Sequence, residues 1–271
     1  MSTVCDCPFD LDAIQDQAWI QRVEFHDTID STNDMAIEIA ASGSHPPGPP
    51  LLVLAAEQTR GRGQRGRRWE SARGSLAFSL LFTHDTPMPP RRIPPLALAT
   101  ATGVAEALSQ RLVANSVSEA RLKWPNDVTV NGKKICGVLV EPLPPAENTP
   151  AAVVIGVGVN INNQIGADLA NRATSLATEL GTNVPLSDCL VEILDQVDLQ
   201  VEAWSTGDPR LHERWNRTCQ DLGRQLSIET PGGHVEGTCR EITPDGHLVL
   251  EQPDGSLQTV VSGTTTDGQS I

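Results

Sequence analysis

Apolar positions along the chain follow two textures, and the change between them divides it. Up to about residue 221, continuous apolar runs alternate with helical spacings. Residues 23–26 read as a strand. A helix follows, with Ser31 or Thr32 as its N-cap, Met35, Ile37, Ile39 and Ala40 as its apolar cover, and Gly43 at its stop. Residues 51–56 (LLVLAA) and 75–82 (SLAFSLLF) read as buried strands. IPPLALATATGVAEALSQRL opens on prolines and then spaces Leu96, Ala99, Val104 and Leu108 as a helix. ARLKWPNDVTVNGKKICGVLVE predicts a strand, a proline turn, and two strands joined at Asn131-Gly132, a pair that tolerates the positive φ of a tight hairpin. Residues 151–162 (AAVVIGVGVNIN) read as a buried strand with glycines inside it, and 186–204 as an amphipathic helix. Beyond about residue 222, short strands are divided by Pro-Gly, Gly-Gly and Asp-Gly turns, the pattern of a small β-barrel. The expected organisation is a polar N-terminal extension at 1–20, loose or a short helix, a main domain at 21–221 and a small β-domain at 222–271.

Composition narrows the function. The 271 residues carry a formal net charge of -14, which speaks against an extended nucleic-acid surface. No apolar run reaches membrane length, and the acidic start lacks the apolar core of a signal peptide, so the expected location is the cytoplasm. Six scattered cysteines without a CxxC pair read as reduced thiols rather than a zinc site. Against this acidic background stands EQTRGRGQRGRRWES, residues 57–71. Arginines 60, 62, 65, 67 and 68 crowd there, with Arg73 two residues beyond, six within fourteen positions, and such a loop can focus a local anion site.

Gly61, Gly63 and Gly66 match the spacing of the dinucleotide fingerprint, but strand texture follows where a helix is required. No Walker-type phosphate loop is present. Buried strands bound the loop closely, unlike a disordered nucleic-acid tail. Its glycines let a ligand approach the backbone, and Trp69 directly after it can stack on a base. KWPNDV places Lys123, Asn126 and Asp127 around a turn, either to bind a phosphate with its magnesium or as a surface turn with a local ion pair. Of Lys133 and Lys134, adjacent in a strand, at most one faces a site. Gly156 and Gly158 either relieve a strand for something lying against it or mark a bulge. Together these pieces describe an anion and purine site that is neither a P-loop nor a dinucleotide fold.

In this order, GRGQRGRRW, KWPNDV, KKICGVLVE and GVGVNIN, with DSTND before them and GHLVLEQPDGSLQTVVSG after, resemble biotin–protein ligases across roughly residues 23–265. The resemblance implies an α+β fold, a mixed-sheet catalytic domain with a small SH3-like C-terminal barrel. It implies that biotin is activated by ATP and Mg2+ to biotinyl-5′-AMP, then transferred to a lysine of a biotin carboxyl carrier protein. It implies biotin contacts at Ser31, Thr32, Asn33, Gln58, Arg62, Gly63, Gln64, Lys134, Gly137, Gly156 and Gly158. ATP contacts fall at Arg65, Arg67, Trp69, Lys123, Asn126 and Asn160. Catalytic roles fall to Lys134, Arg62, Lys123 and Asp127, with Asp127 also at the metal. One position departs from the family pattern G-R-G-R-x-G-R: Gln64 stands where arginine is common, which predicts weaker retention of the adenylate. About twenty residues precede the first motif, too few for a DNA-binding domain, so no nucleic-acid or membrane partner is expected, and a homodimer is left open. A lipoate-type ligase and a non-catalytic nucleotide module are the competing readings.

Overall fold

The computed structural model describes residues 7–17, 19–146 and 149–266. Of the expected N-terminal extension, residues 1–6 and 18 lie outside the described residues, as do 267–271 of the C-terminal region. Within 7–20, helix α1 (Leu11–Gln15) forms behind the N-cap Asp10. Its Ile14 is fully buried, and Phe9 and Ile20 are nearly so, so this segment packs onto the main core.

Seven strands form the main sheet: β1 (Arg22–Ile29), β2 (Leu51–Gln58), β3 (Leu76–His84), β4 (Arg121–Lys123), β5 (Asp127–Val130), β6 (Lys133–Leu143) and β7 (Ala151–Val159). Their order is β1-β2-β3-β7-β6-β5-β4. The β1–β2 pair is parallel, because helix α2 (Thr32–Ala41) crosses over between them, and the other pairs are antiparallel. The β5–β6 hairpin turns at Asn131 and Gly132, both with positive φ.

The sheet is covered on both faces, which is why β2 and β7 read as unbroken apolar runs. On one face Leu52, Leu54, Phe78, Ile155 and Val157 pack under helices α3 (Ile93–Ala114) and α5 (Leu186–Thr206). These two helices meet closely at Gly103, where a Cβ would come within 2.8 Å of the Gln196 carbonyl oxygen. On the other face α2 covers Leu51, Val53, Leu81, Ala152 and Val154. Alternation along β7 places Gly156 and Gly158 on this same face, beyond the reach of α2. An uncovered shelf results.

Two helices had not been anticipated, α4 (Leu176–Leu180) and α6 (Leu211–Thr218). Both are short. The i,i+4 pair Leu211 and Trp215, both buried, is the signal that α6 carried. The C-terminal sheet comprises β8 (Gln225–Thr230), β9 (Gly233–Ile242), β10 (Leu248–Glu251), β11 (Leu257–Val260) and β12 (Thr264–Thr266), in the order β11-β10-β9-β8-β12. Its buried residues continue the main core. The Trp124 indole donates to the Gly246 carbonyl at 3.0 Å, and Asn216 exchanges hydrogen bonds with Ile242 at 2.8 Å, so the two sheets interlock.

The five described cysteines are free, and burial pushes the Cys219 thiol up to about 12, in keeping with unreactive reduced thiols. No helix among the described residues is long and apolar enough to cross a membrane.

Two histidines titrate against the fold. The Nε2 atoms of His45 and His84 are buried without a partner. Burial, with help from Arg22 beside His45 and Arg92 beside His84, holds both imidazoles below their ordinary value. The folded state therefore binds fewer protons than the unfolded chain. This contribution to stability is fully present above about pH 6.5 and is lost as the pH falls below it. Urea midpoints at about pH 7.5 and about pH 5.5 are expected to differ in that direction, and His45→Leu to narrow the difference. An unchanged difference in the variant removes His45 from the effect.

Candidate active site

The shelf is a platform of glycines. Gly158 pairs across the sheet with Gly137 on β6 and Ala77 on β3, and Gly156 pairs with Ser79 and Leu139. Each glycine makes room for one functional side chain. A Cβ on Gly137 would stand 3.1 Å from Lys134 Nζ. On Gly156 it would stand 2.0 Å from Asn33 Oδ1, and on Gly158 2.3 Å from the Trp69 ring. The β7 glycines are thus relieved for side chains of this protein, which form the inner wall of a cavity enclosing about 210 Å³.

Lys134 reaches this face because β6 carries a bulge. Between Thr129↔Lys134 and Val128↔Cys136, β6 advances two residues for one on β5. Strict alternation would put Lys134 and Gly137 on opposite faces, and the extra residue, Ile135, brings them together. Lys134 lines the cavity and Lys133 does not. Lys134 Nζ lies 2.7 Å from Asp127 Oδ1 and 5.5 Å from the Trp69 ring centroid. The Trp69 indole N–H is buried without a partner.

At the other end, the first turn of α2 delivers three neighbours. Ser31 caps the helix, its hydroxyl accepting from the Asp34 N–H at 3.4 Å. Gln58 Oε1 accepts from the Thr32 N–H at 2.8 Å and from its hydroxyl at 3.2 Å. Asn33 Nδ2 donates to Glu141 Oε2 at 2.7 Å, while its Oδ1 lies 2.6 Å from the Ser79 hydroxyl. A carboxylate can only accept, so Glu141 fixes which way the Asn33 amide points.

The arginine loop is a folded hairpin rather than an open coil. Gly61 and Trp69, then Gly63 and Arg67, pair through backbone hydrogen bonds. Arg65 and Gly66 turn it with positive φ of 59° and 73°, a two-residue turn that favours glycine at both central positions. Its cations divide into two groups. Arg60 pairs with Asp30, Arg73 with Asp27, and Arg62 with both Glu141 and Asp34. Arg65 and Arg67 donate to the Thr264 hydroxyl on β12, Arg67 at 3.3 Å, and Arg68 to the Thr59 carbonyl at 2.9 Å. Among the described residues these last three have no carboxylate partner, so the uncompensated charge sits at the hairpin tip. As a free catalytic cation, Arg62 is already spent in this structure. Its Nη1 and Nη2 contact Glu141 at 2.8 and 2.7 Å, and Nη2 is 2.9 Å from Asp34.

Of the residues singled out in the sequence, Ser31, Thr32, Asn33, Gln58, Arg62, Gly63, Gln64, Arg65, Arg67 and Trp69 line the one cavity. So do Lys123, Asn126, Asp127, Lys134, Gly137, Gly156 and Gly158. Asn160 lies just past β7, outside the lining. Its Nδ2 donates to the Thr174 carbonyl at 3.1 Å, and its Oδ1 accepts from Asn163 at 3.0 Å. The sequence assigned no role to Asp34, Ser79, Glu141 and Thr264, and Arg68 stood there only as one of the loop's six arginines. Asp34 and Glu141 lie inside quoted motifs, with nothing local to mark them.

Fold and site together define a class: a mixed sheet with a pocket on a glycine platform, lined by an arginine hairpin and by the last strand of a second small sheet. The sequence pattern of the Biotin/lipoate A/B protein ligase family matches residues 26–160, and that of the Biotin protein ligase C terminal domain matches residues 221–264. The chain is 31% identical over 234 residues to a biotin–[acetyl-CoA-carboxylase] ligase of Mycobacterium tuberculosis, covering 86% of this chain and 83% of that protein. It is 30% identical over 240 residues to the bifunctional ligase/repressor BirA of Bacillus subtilis, covering 87% of this chain and 71% of that protein. A solved biotin protein ligase from Aquifex aeolicus, in complex with biotin and ATP, shares the fold with a TM-score of 0.74 at 24% identity, covering 91% and 98% of the two chains. The chain belongs to the biotin protein ligase family.

Proposed function

We propose that this protein joins biotin to a carrier protein in two steps at the cavity just described, residues 21–221 forming the catalytic domain and 222–271 the C-terminal one. The observation that carries the reading is the adjacency on the glycine platform. Lys134 lies over Gly137, Trp69 over its cross-strand neighbour Gly158, and the Asn33 pocket sits one step along the sheet. That arrangement would place a ring, a carboxylate and a base next to one another.

Ser31, Thr32, Asn33 and Gln58 offer hydroxyl and amide groups to the ureido ring. Lys134 Nζ, at the far end, receives the carboxylate. A carboxylate oxygen attacks the α-phosphorus of ATP, the bond from that phosphorus to the bridging oxygen breaks, and pyrophosphate leaves. In the second step a neutral lysine amine of the carrier attacks the acyl carbon. The C–N bond forms, the bond to the phosphate oxygen breaks, AMP leaves, and the proton from the amine passes to water. Both steps gather negative charge around Lys134, where a fixed cation already in place needs no reorganisation. Trp69 offers its face to adenine. Arg65, Arg67 and Arg68 keep their charge for the phosphates. The cavity, about 210 Å³, is below the roughly 300 Å³ of ordinary ligand pockets, so its lining opens as the nucleotide enters.

Magnesium fits this site in one way. No cluster of three or more His, Cys, Asp or Glu side chains is present among the described residues. Asp127 is a single carboxylate beside Lys134, suited to an ion carried in on the nucleotide's own phosphates, whose charge it would offset. The acceptor is a biotin carboxyl carrier domain that presents an exposed lysine, and the setting is cytoplasmic.

Incubation with ATP, biotin and an isolated carrier domain is expected to add one biotin to one carrier lysine, read by mass. A carrier of unchanged mass, in enzyme that consumes ATP, contradicts the second step. Gln64 makes a further expectation. It lines the cavity without a full charge where the family commonly has arginine. Gln64→Arg is therefore expected to slow dissociation of biotinyl-AMP, about tenfold for one charge-assisted contact. An equal or faster off-rate removes Gln64 as the cause of weak retention.

A further inference from the structure

Glu141 touches both the Asn33 pocket and the base of the arginine hairpin. It stands on β6 on the same face as Gly137 and Leu139, with both carboxylate oxygens engaged. Oε1 accepts from Arg62 Nη1 at 2.8 Å. Oε2 accepts from Arg62 Nη2 at 2.7 Å and from Asn33 Nδ2 at 2.7 Å. The two-pronged contact holds the base of the arginine hairpin to the sheet, and the single one sets the Asn33 amide. Asp34, the second carboxylate on Arg62, makes one contact at 2.9 Å. With two carboxylates against one guanidinium, Arg62 brings no net positive charge to an incoming anion. It serves as an anchor.

We propose that Glu141 is a positioning residue that couples occupation of the Asn33 pocket to the order of the arginine hairpin. The proposal rests on the biotin-ligase reading of the cavity. A ring bound at Asn33 immobilises that amide, and hence the Glu141 carboxylate it donates to. A fixed carboxylate holds the Arg62 fork, and with it the hairpin that carries Arg65, Arg67 and Arg68 toward the phosphates.

The hairpin's own arginines supply the assay, because trypsin cuts after each of them once the loop opens. Cleavage is measured on the full chain, with and without biotin at a concentration that saturates the pocket, binding being followed by calorimetry in the same samples. In the parent protein biotin is expected to slow loop cleavage about tenfold, the worth of one charge-assisted contact. In Glu141→Gln, which keeps the shape and loses the charge, cleavage without biotin is faster and protection at saturation falls below about twofold. A residue that merely stiffens the loop would raise both rates and leave their ratio intact. Arg62→Lys, which cannot span both carboxylate oxygens, is expected to give the same loss and serves if Glu141→Gln does not fold. Full protection retained in either folded variant overturns the role of Glu141. Absence of biotin binding to the parent protein removes the reading beneath the proposal, and the proposal with it.

Discussion

Lys134→Ala is expected to slow biotin-dependent adenylation by a factor on the order of 10² to 10³, the usual cost of removing one preorganised group from developing transition-state charge. The stem of Lys134 lies over Gly137 and ends 2.7 Å from Asp127 and 5.5 Å from the Trp69 ring centroid. Its ammonium is about a third exposed, so its loss leaves no buried cavity and stability changes little. Lys134→Arg is not expected to rescue the rate. A planar guanidinium is wider than an ammonium, and the space beside Gly137 is already filled to 3.1 Å from where a Cβ would stand. Lys133→Ala is the control, since that side chain does not line the cavity. Single-turnover formation of the adenylate separates the two. Equal, small effects in Lys133→Ala and Lys134→Ala would remove Lys134 from the chemistry.

The second large effect is expected from one methyl group. Gly156→Ala puts a Cβ 2.0 Å from Asn33 Oδ1, well inside contact distance, while β7 is held on both sides by β3 and β6. The strand cannot yield without disturbing its partners, so the Asn33 side chain moves. Its links to Glu141 and Ser79 are then broken or stretched. Misplacing a binding group by about 1 Å costs on the order of 10²-fold, and biotin affinity is expected to fall by that much. Alanine is otherwise better than glycine in a strand, by roughly 0.5–1 kcal/mol, which offsets part of the strain, and the variant is expected to fold. Calorimetric titration with biotin measures the loss. An unchanged dissociation constant in a folded Gly156→Ala variant would mean that Asn33 does not contact the ring. Gly158→Ala, 2.3 Å from the Trp69 ring, is expected to act instead on the nucleotide.

Much of this architecture was legible in the sequence because it is written locally. The unbroken apolar run of β7, the Asn131-Gly132 turn and the capping of α2 by Ser31 each depend on neighbours a few residues apart. The glycines of β7 announced that something lies against the strand, though not that Asn33 and Trp69 do. What stayed hidden is long-range. Glu141 meets Asn33 from 108 positions away and Arg62 from 79, and Thr264 receives Arg65 across 199. No local pattern marks such pairs. The division of the six arginines was equally invisible, since pairing with Asp27, Asp30, Asp34 and Glu141 exists only once the sheet brings them together. Asn160 stands outside the lining for a related reason. It follows the last residue of β7, and the chain beyond turns so that Thr174 and Asn163 take its amide. The facing of Lys134 also needed the structure, because it depends on a bulge that simple alternation does not contain.

An acyl-adenylate made from biotin in this cavity would run backwards when pyrophosphate is added. Biotin-dependent exchange of labelled pyrophosphate into ATP is therefore measured, with lipoate as the control acid and magnesium present. Exchange is expected with biotin, not with lipoate, and is expected to be lost in Lys134→Ala. Exchange with lipoate alone, or none with either acid in protein that binds ATP, would contradict adenylation of biotin in this cavity.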